Sequence, residues 1–378
     1  MCPVVTINDV AREAGVSKTT VSYVISGNPR ISDETAARVR RAMADLGYMV
    51  NRAARALSTS KTMAIGLMVD AADAKALSIT RGVYLCELSE YARRHGYDLL
   101  LMTSDDGVRT IRDVASARKV DGLILMDIDR DDPRVRAAVE AKLPTVLLGV
   151  PADSLGLDEV DTDFERAARE LVALFADRGH RRIALVHTVE HPCDGGVDGV
   201  GVDVIVGGHD RSGVGDGGDA GVGESAVVLG AADDGGANYA VRFRRALFAE
   251  AAGRGIEVCM LGDEAASLDP GERLRVTLDR FPGTTGLVID DDQVVIAASQ
   301  VFMELGIAVP GDLSVAVVVP DVLREQMRIP YTAIDINLPA VAEETVETLV
   351  RRLERADAPA VTRLVSQPLL DQGTVRAV

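Results

Sequence analysis

Apolar residues in the first fifty positions recur at helical intervals in three short runs. Ile7, Val10, Ala11 and Ala14 share one face of a first helix. Thr6 precedes that run and Asp9 follows three residues later, the spacing of a capping box. Gly15 ends the helix, because a left-handed backbone costs glycine little, and Val16 plugs the turn. Ser17 caps a second helix from Lys18 to Ile25, with Val21, Val24 and Ile25 facing inward. Ser32 caps a third, whose stripe is Ala36, Val39, Met43 and Leu46 and whose end is Gly47. A helix, a short glycine turn and a second helix form a helix-turn-helix. The second helix turns Lys18, Thr19, Ser22 and Tyr23 away from its valines. Its first residues can reach base edges, and Ser17 and Ser22 can meet phosphates. The same pattern also fits a small three-helix bundle with a solvated face.

Beyond residue 62 the pattern changes to alternating strands and helices. Met63–Val69 is a continuous apolar run, suited to a strand covered on both faces. A helix over Ile79–His95, a strand over Tyr97–Met102, a helix near Val108–Lys119 and a strand over Gly122–Met126 follow. A helix from Pro133 and a strand over Pro144–Leu148 complete the first series. A second series begins near Asp161. It has helices over Phe164–Arg178, Asn238–Gly253, Gly271–Arg280, Gln293–Leu305 and Leu338–Arg355. Its strands cover Arg181–His187, Ile256–Leu261, Gly286–Ile289 and Leu313–Val319. This alternation predicts parallel sheets joined by right-handed crossovers.

Charge sharpens the division. The whole chain has a formal net charge of −17. Residues 1–61 hold nine Lys/Arg against five Asp/Glu, leaving 32 against 53 for the remainder. A basic head on an acidic body confines attraction for phosphate to one end. Between them, Asn51-Arg52-Ala53-Ala54-Arg55-Ala56-Leu57 is too short for a stable isolated helix. An exposed leucine among basic and small residues suits a stub that folds on DNA and wedges the minor groove, and equally an ordinary linker.

Residues 6–57 resemble the lactose-repressor/galactose-repressor (LacI/GalR) family of bacterial transcription factors. The matching pieces are T-I-N-D-V-A-R-E-A-G-V-S-K-T-T-V-S, S-D-E-T-A-A-R-V, D-L-G-Y and N-R-A-A-R-A-L. The resemblance places Lys18, Thr19 and Tyr23 where the family reads bases and Leu57 where it wedges the groove. Thr6, Ser17, Thr20, Ser22, Asn28, Asn51 and Arg55 complete the expected DNA contacts. Val50 stands where the family usually has proline, and Tyr23 where it often has Arg or His.

The body resembles the family's effector domain through V-D-G-L-I-L, R-G-H-R-R-I-A-L-V, E-L-G-I-A-V-P-G-D-L-S-V and Pro330-Tyr331-Thr332. The implied fold is an all-α helix-turn-helix headpiece followed by an α/β body like periplasmic sugar-binding proteins, with two parallel-sheet lobes. The expected domains are a headpiece over 1–50, a hinge over 51–61 and an effector-binding and dimerisation domain over 62–378. Crossovers near 161, 290 and 320 would give a first lobe of 62–161 with 291–320, and a second of 162–290 with 321–378. Residues 191–236 fit neither lobe. They are about one-third glycine, otherwise rich in Val and Asp, and read as a flexible insertion or as a segment out of frame.

The family's ligand anchors are mostly altered. Tyr239 replaces an expected Arg and Arg242 an expected Gly in Tyr239-Ala240-Val241-Arg242-Phe243. Asp291-Asp292, after Asp290, stands where an Asn-Asp pair is expected. Val319 falls at an expected acidic position, with Asp321 two residues on, and Ile336 at a polar one. Asp70, Tyr239, Asp291 and Asp321 are the candidate effector contacts. Because three consecutive residues cannot all face one ligand, helix capping is the preferred role for Asp290–Asp292 over cation binding.

Other chemistries find little support. Cys2, Cys86, Cys193 and Cys259 are scattered, without zinc or disulfide spacing. The five histidines lack metal spacing, and no nucleophile elbow or P-loop occurs. No cofactor, metal or enzymatic role is expected. Nor is a membrane span, and the start of the chain does not read as a signal peptide, so a cytoplasmic, nucleoid-associated protein is expected. The expected partners are double-stranded DNA with a near-palindromic operator, a second copy or a tetramer of this chain, and a small effector of the sugar or nucleoside class. A repressor modulated by that effector, an effector-independent repressor with a degenerate pocket, and a solute-binding protein without a DNA role are the functions in competition.

Overall fold

Val10, Val21 and Val39, one from each of three helices, are fully buried in a single small core. The helices are α1 (Ile7–Glu13), α2 (Lys18–Ile25) and α3 (Asp33–Asp45). The computed structural model describes residues 5–25, 30–48, 61–70, 79–187, 204–207, 226–227, 238–262, 265 and 267–378. It divides into two compact units, Met1–Met63 and Ala64–Val378. Residues 51–60 of the expected hinge over 51–61, with Asn51, Arg55 and Leu57, and the headpiece residue Asn28 lie outside the described residues.

The second unit runs β1 (Ala64–Asp70), α4 (Ile79–Arg94), β2 (Asp98–Ser104), α5 (Gly107–Ser116), β3 (Gly122–Leu125), α6 (Pro133–Ala141), β4 (Thr145–Leu148) and β5 (Asp158–Thr162). It continues through α7 (Phe164–Asp177), β6 (Arg182–His187), β7 (Val204–Gly207), β8 (Ala226–Val227), α8 (Asn238–Gly253), β9 (Glu257–Leu261), α9 (Pro270–Arg280) and β10 (Gly286–Asp290). The last elements are α10 (Asp292–Leu305), β11 (Ser314–Val319), α11 (Asp321–Arg324), β12 (Thr332–Asp335), α12 (Leu338–Glu354), β13 (Thr362–Val365) and β14 (Leu369–Leu370).

Two sheets result. The first has the order β13-β5-β4-β3-β1-β2, with every pairing parallel. The second has the order β14-β12-β11-β10-β6-β9-β7-β8, parallel except where β14 meets β12 and β7 meets β9. Its central strands β6, β9, β10 and β11 are covered on both faces. Ile183, Leu185, Val258 and Val288 pack with α7 and α8, while Ala184, Val186, Cys259 and Ile289 pack with α9 and α10. Continuous apolar runs are what such doubly covered strands require.

The lobe boundaries expected from the sequence need correction. The chain does cross near 161, between β5 and α7. It does not cross at 290 or 320, because β10 and β11 lie side by side in the second sheet, in parallel register from Gly286 opposite Ser314. Both are fully buried apolar strands there, so residues 291–320 belong to the second lobe. The remaining crossings lie between β12 and α12 and between β13 and β14: α12 packs on α4, β3, β4 and β5, and β13 pairs with β5. Residues 338–365 therefore belong to the first lobe.

Strand β5, Asp158-Glu159-Val160-Asp161-Thr162, was not legible as a strand. It is buried throughout despite three carboxylates. Asp158 is fully buried and accepts from Arg351, Arg352 and the Val361 N–H. Glu159 accepts from the Thr362 hydroxyl. Buried charge is tolerated where it is paired and hydrogen-bonded, and every partner here is remote in sequence.

Candidate nucleic-acid interface and interlobe cleft

The headpiece builds its outward face from the caps up. The Thr6 N–H and hydroxyl both donate to Asp9, at 3.0 and 2.7 Å, which starts α1. Gly15 takes φ 64° and lets the Val16 N–H return to the Ala11 carbonyl at 3.0 Å, turning the chain into α2. Ser17 accepts the Thr20 N–H at 3.0 Å, and its hydroxyl also meets that of Thr20 at 2.8 Å. The Arg38 guanidinium of α3 donates to the Ala14 carbonyl at 3.0 Å, tying the third helix to the end of the first.

Val21 and Val24 anchor α2 inward, so Lys18, Thr19 and Tyr23 are exposed and Ser22 is half-buried beside them on one face. Tyr23 exposes 43% of its surface, much for an aromatic residue. Ser17 and Thr20 have turned their hydroxyls to each other as a cap, and Thr6 has turned its own to Asp9.

In the body, the carboxyl ends of both sheets meet at the gap between the lobes, where open α/β folds bind ligands. Three consecutive acids there point three ways. Asp290 lies 2.9 Å from His187 Nδ1; burial raises its pKa, with His187 pulling it back down. Asp291 caps α10 through the Gln293 and Val294 N–H groups, at 2.9 and 3.0 Å, and pairs with Arg273 at 2.8 Å. Asp292 reaches the other lobe, accepting the Ile79 and Thr80 N–H groups of α4 at 3.0 and 3.4 Å.

On the crossover side, Arg242 of α8 forks onto Glu165 of α7 at 2.7 and 2.6 Å and reaches Asp161 at the end of β5 at 2.7 Å. Burial pushes Asp161 up to about 7, with Arg242 pulling it down. Tyr84 of α4 stands beside Asp161, and burial raises its hydroxyl pKa. The Tyr239 ring is 5.3 Å from that of Phe164, next to the same fork.

A model of bacterial regulatory proteins of the lacI family matches residues 6–51, across the headpiece just described. A periplasmic binding protein-like domain matches residues 220–375.

The headpiece is that of the lacI family's regulators.

Among relatives, the HTH-type transcriptional regulator MalR of Staphylococcus xylosus is 30% identical over 191 residues, 48% of this chain and 55% of that protein. The HTH-type transcriptional regulator CelR of Thermobifida fusca is 29% identical over 361 residues, 92% of each. With MalR and several similar regulators, the chain spans little more than half of the relative's length. A lac repressor dimer bound to operator and an anti-inducer shares the fold, with a TM-score of 0.71 and 20% identity, over 99% of this chain and all of that one.

Against the family expectations, the fold brings Lys18, Thr19, Ser22 and Tyr23 together and leaves the hinge contacts outside the described residues. Of the candidate effector contacts, Tyr239 is half-buried at the cleft, Asp321 pairs with Arg324 within α11, and the Asp70 side chain lies outside the described residues. Asp291 is taken up by its helix cap and by Arg273, so it is not carried forward as a ligand contact. Sequence reasoning missed the roles of Asp161, Glu165, Tyr84 and His187. The one available signal was Arg242, a charge where the motif calls for glycine.

Among the described residues no helix is long and apolar enough to cross a membrane.

Proposed function

We propose that this chain is a sequence-specific DNA-binding transcriptional regulator of the lacI family, a repressor whose operator affinity a small effector modulates. The observation that carries this reading is the outward face of α2: Lys18, Thr19, Ser22 and Tyr23, held by buried valines and a Ser17 cap. A rigid helix presenting donors and an aromatic ring can read base edges in a major groove. One headpiece makes too few contacts for useful specificity, so two copies would read the halves of a near-palindrome. Leu100, Leu101, Ile296 and Met303 expose large apolar surfaces on β2 and α10, which favours self-association as a homodimer, or a tetramer of two such dimers. Thr6, Ser17 and Thr20 are proposed to meet phosphate through their backbone and hydroxyl edges. Asn28 of the headpiece and Asn51, Arg55 and Leu57 of the hinge are further proposed DNA contacts. A cytoplasmic, nucleoid-associated location and the absence of a catalytic role follow from the same reading.

Tyr239 and Asp321, with Asp70, are the remaining proposed effector contacts, for a ligand of the sugar or nucleoside class. A second reading, a repressor indifferent to effector, is favoured by Arg242, whose guanidinium occupies the crossover side of the cleft. Capture and sequencing of genomic fragments by the purified full-length protein tests the DNA reading. Enrichment of a near-palindromic site is the expected result, and binding no tighter than to random duplex in moderate salt would refute it. A thermal-shift screen of sugars and nucleosides separates the two versions.

A further inference from the structure

Arg242 and Asp161 lie on different lobes. Asp161 lies next to the carboxyl end of β5 in the first sheet, and Arg242 projects from α8, which packs on the second. Both side chains are about nine-tenths buried. Glu165, in the same lobe as Arg242, fixes the guanidinium with a two-point fork, leaving Nη1 to bridge the lobes. A planar fork is the geometry in which guanidinium and carboxylate bind best. The other Asp161 oxygen accepts the Thr162 N–H at 2.8 Å, so the carboxylate is satisfied on both sides. A buried charge this fully partnered is costly to uncover, because each group loses its partner before water replaces it.

A second tie spans the gap in the opposite sense. Asp292, at the start of α10 in the second lobe, takes the first amides of α4 in the first. Between the two ties, Ile79 packs on one apolar cluster of the second lobe, and Val83 and Tyr84 on the other. The opening turns of α4 thus belong to both lobes.

We infer that Arg242 is a latch that holds the two lobes together through Asp161, a contact made by the chain's own side chains at the crossover side of the cleft. This goes beyond the regulator reading and rests on it only in treating the two-lobed body as the part that senses; DNA binding plays no role in the latch. Glu165 orients the latch without spanning the lobes. The amides of Ile79 and Thr80 report its state, since they lose their acceptor when Asp292 moves away with the second lobe.

Hydrogen exchange at those two amides, in the full-length protein at pH 8 without DNA, tests the latch. Arg242→Ala and Asp161→Asn should each speed exchange about tenfold or more, as loss of a charged hydrogen bond implies. Glu165→Gln, which leaves the interlobe bond in place, should speed it less. Methylguanidinium added to Arg242→Ala should slow exchange again, and should do nothing for Asp161→Asn. Should Arg242→Ala fail to fold, Asp161→Asn and Arg242→Lys carry the comparison. Unchanged exchange in Asp161→Asn, an equal effect of Glu165→Gln, or no rescue by methylguanidinium in a folded Arg242→Ala protein would each overturn the latch. None of these outcomes depends on whether the headpiece binds an operator.

Discussion

The Ser17 hydroxyl accepts the Thr20 N–H at 3.0 Å, and this bond begins the helix that presents Tyr23. A helix start has several amides without partners, and a serine cap satisfies one of them. Ser17→Ala should cost the headpiece about 1 kcal/mol, and Ser17→Gly only a few tenths. Thermal melts of the full-length protein with hydrogen exchange along α2 would measure this. Equal losses for the two substitutions would mean that the cap is not what holds the start of α2.

Tyr23 shares the exposed face of α2 with Lys18, Thr19 and Ser22. If it reads a base, Tyr23→Ala should weaken specific binding by about 1–3 kcal/mol and leave non-specific binding and the salt slope nearly unchanged. Titration of operator and random duplex at several salt concentrations gives both quantities. Equal losses on the two duplexes would assign Tyr23 to general contact instead.

Arg134 and Asp132 form a buried pair at the start of α6. The Asp132 carboxylate caps that helix through the Arg134 N–H at 2.8 Å. The Arg134 guanidinium meets Asp132 at 2.6 Å and also donates to the Met126 and Asp127 carbonyls, at 3.1 and 2.6 Å. Arg134→Ala strands an anion and two carbonyls away from water. The expected loss is about 3–5 kcal/mol, as for other broken buried pairs. Denaturant unfolding checks the value, and a loss under 1 kcal/mol would show that water enters this site freely.

His180 is fully buried, with Nδ1 2.8 Å from the Thr285 hydroxyl and Nε2 3.0 Å from the Arg376 carbonyl. Burial holds its pKa below the usual 6.5, against the pull of the Arg376 carbonyl, and Arg178 adds to the depression. The unfolded chain therefore takes up a proton near pH 6.5 that the folded chain refuses. This contribution to stability is complete above pH 6.5 and is lost as pH falls below it. Melting temperature against pH for wild type and His180→Gln should differ in slope below pH 6.5 and run parallel above it.

The headpiece was readable residue by residue, because its causes are local. Caps at Thr6, Ser17 and Ser32, a glycine at 15 and apolar residues three or four positions apart within each helix act within one or two helical turns. The doubly covered strands were nearly as plain, since apolar runs such as Gly286–Ile289 fit few other environments. The cleft was harder to read. Tyr239 could be placed by its motif, but the partners of Arg242 lie about 80 positions earlier, and Asp292 meets amides more than 200 positions away.

What the sequence determined by itself is the order of helices and strands, the outward face of α2 and the separation of a basic head from an acidic body. Periodicity and capping act over a few residues and leave their mark in the chain. Only the tertiary structure decided that β10 and β11 stay in one lobe, that an acidic segment becomes the buried strand β5, and that Arg242 joins one lobe to the other. Those outcomes depend on which remote groups arrive to pair a strand or neutralise a buried charge, and such pairing has no local period to read.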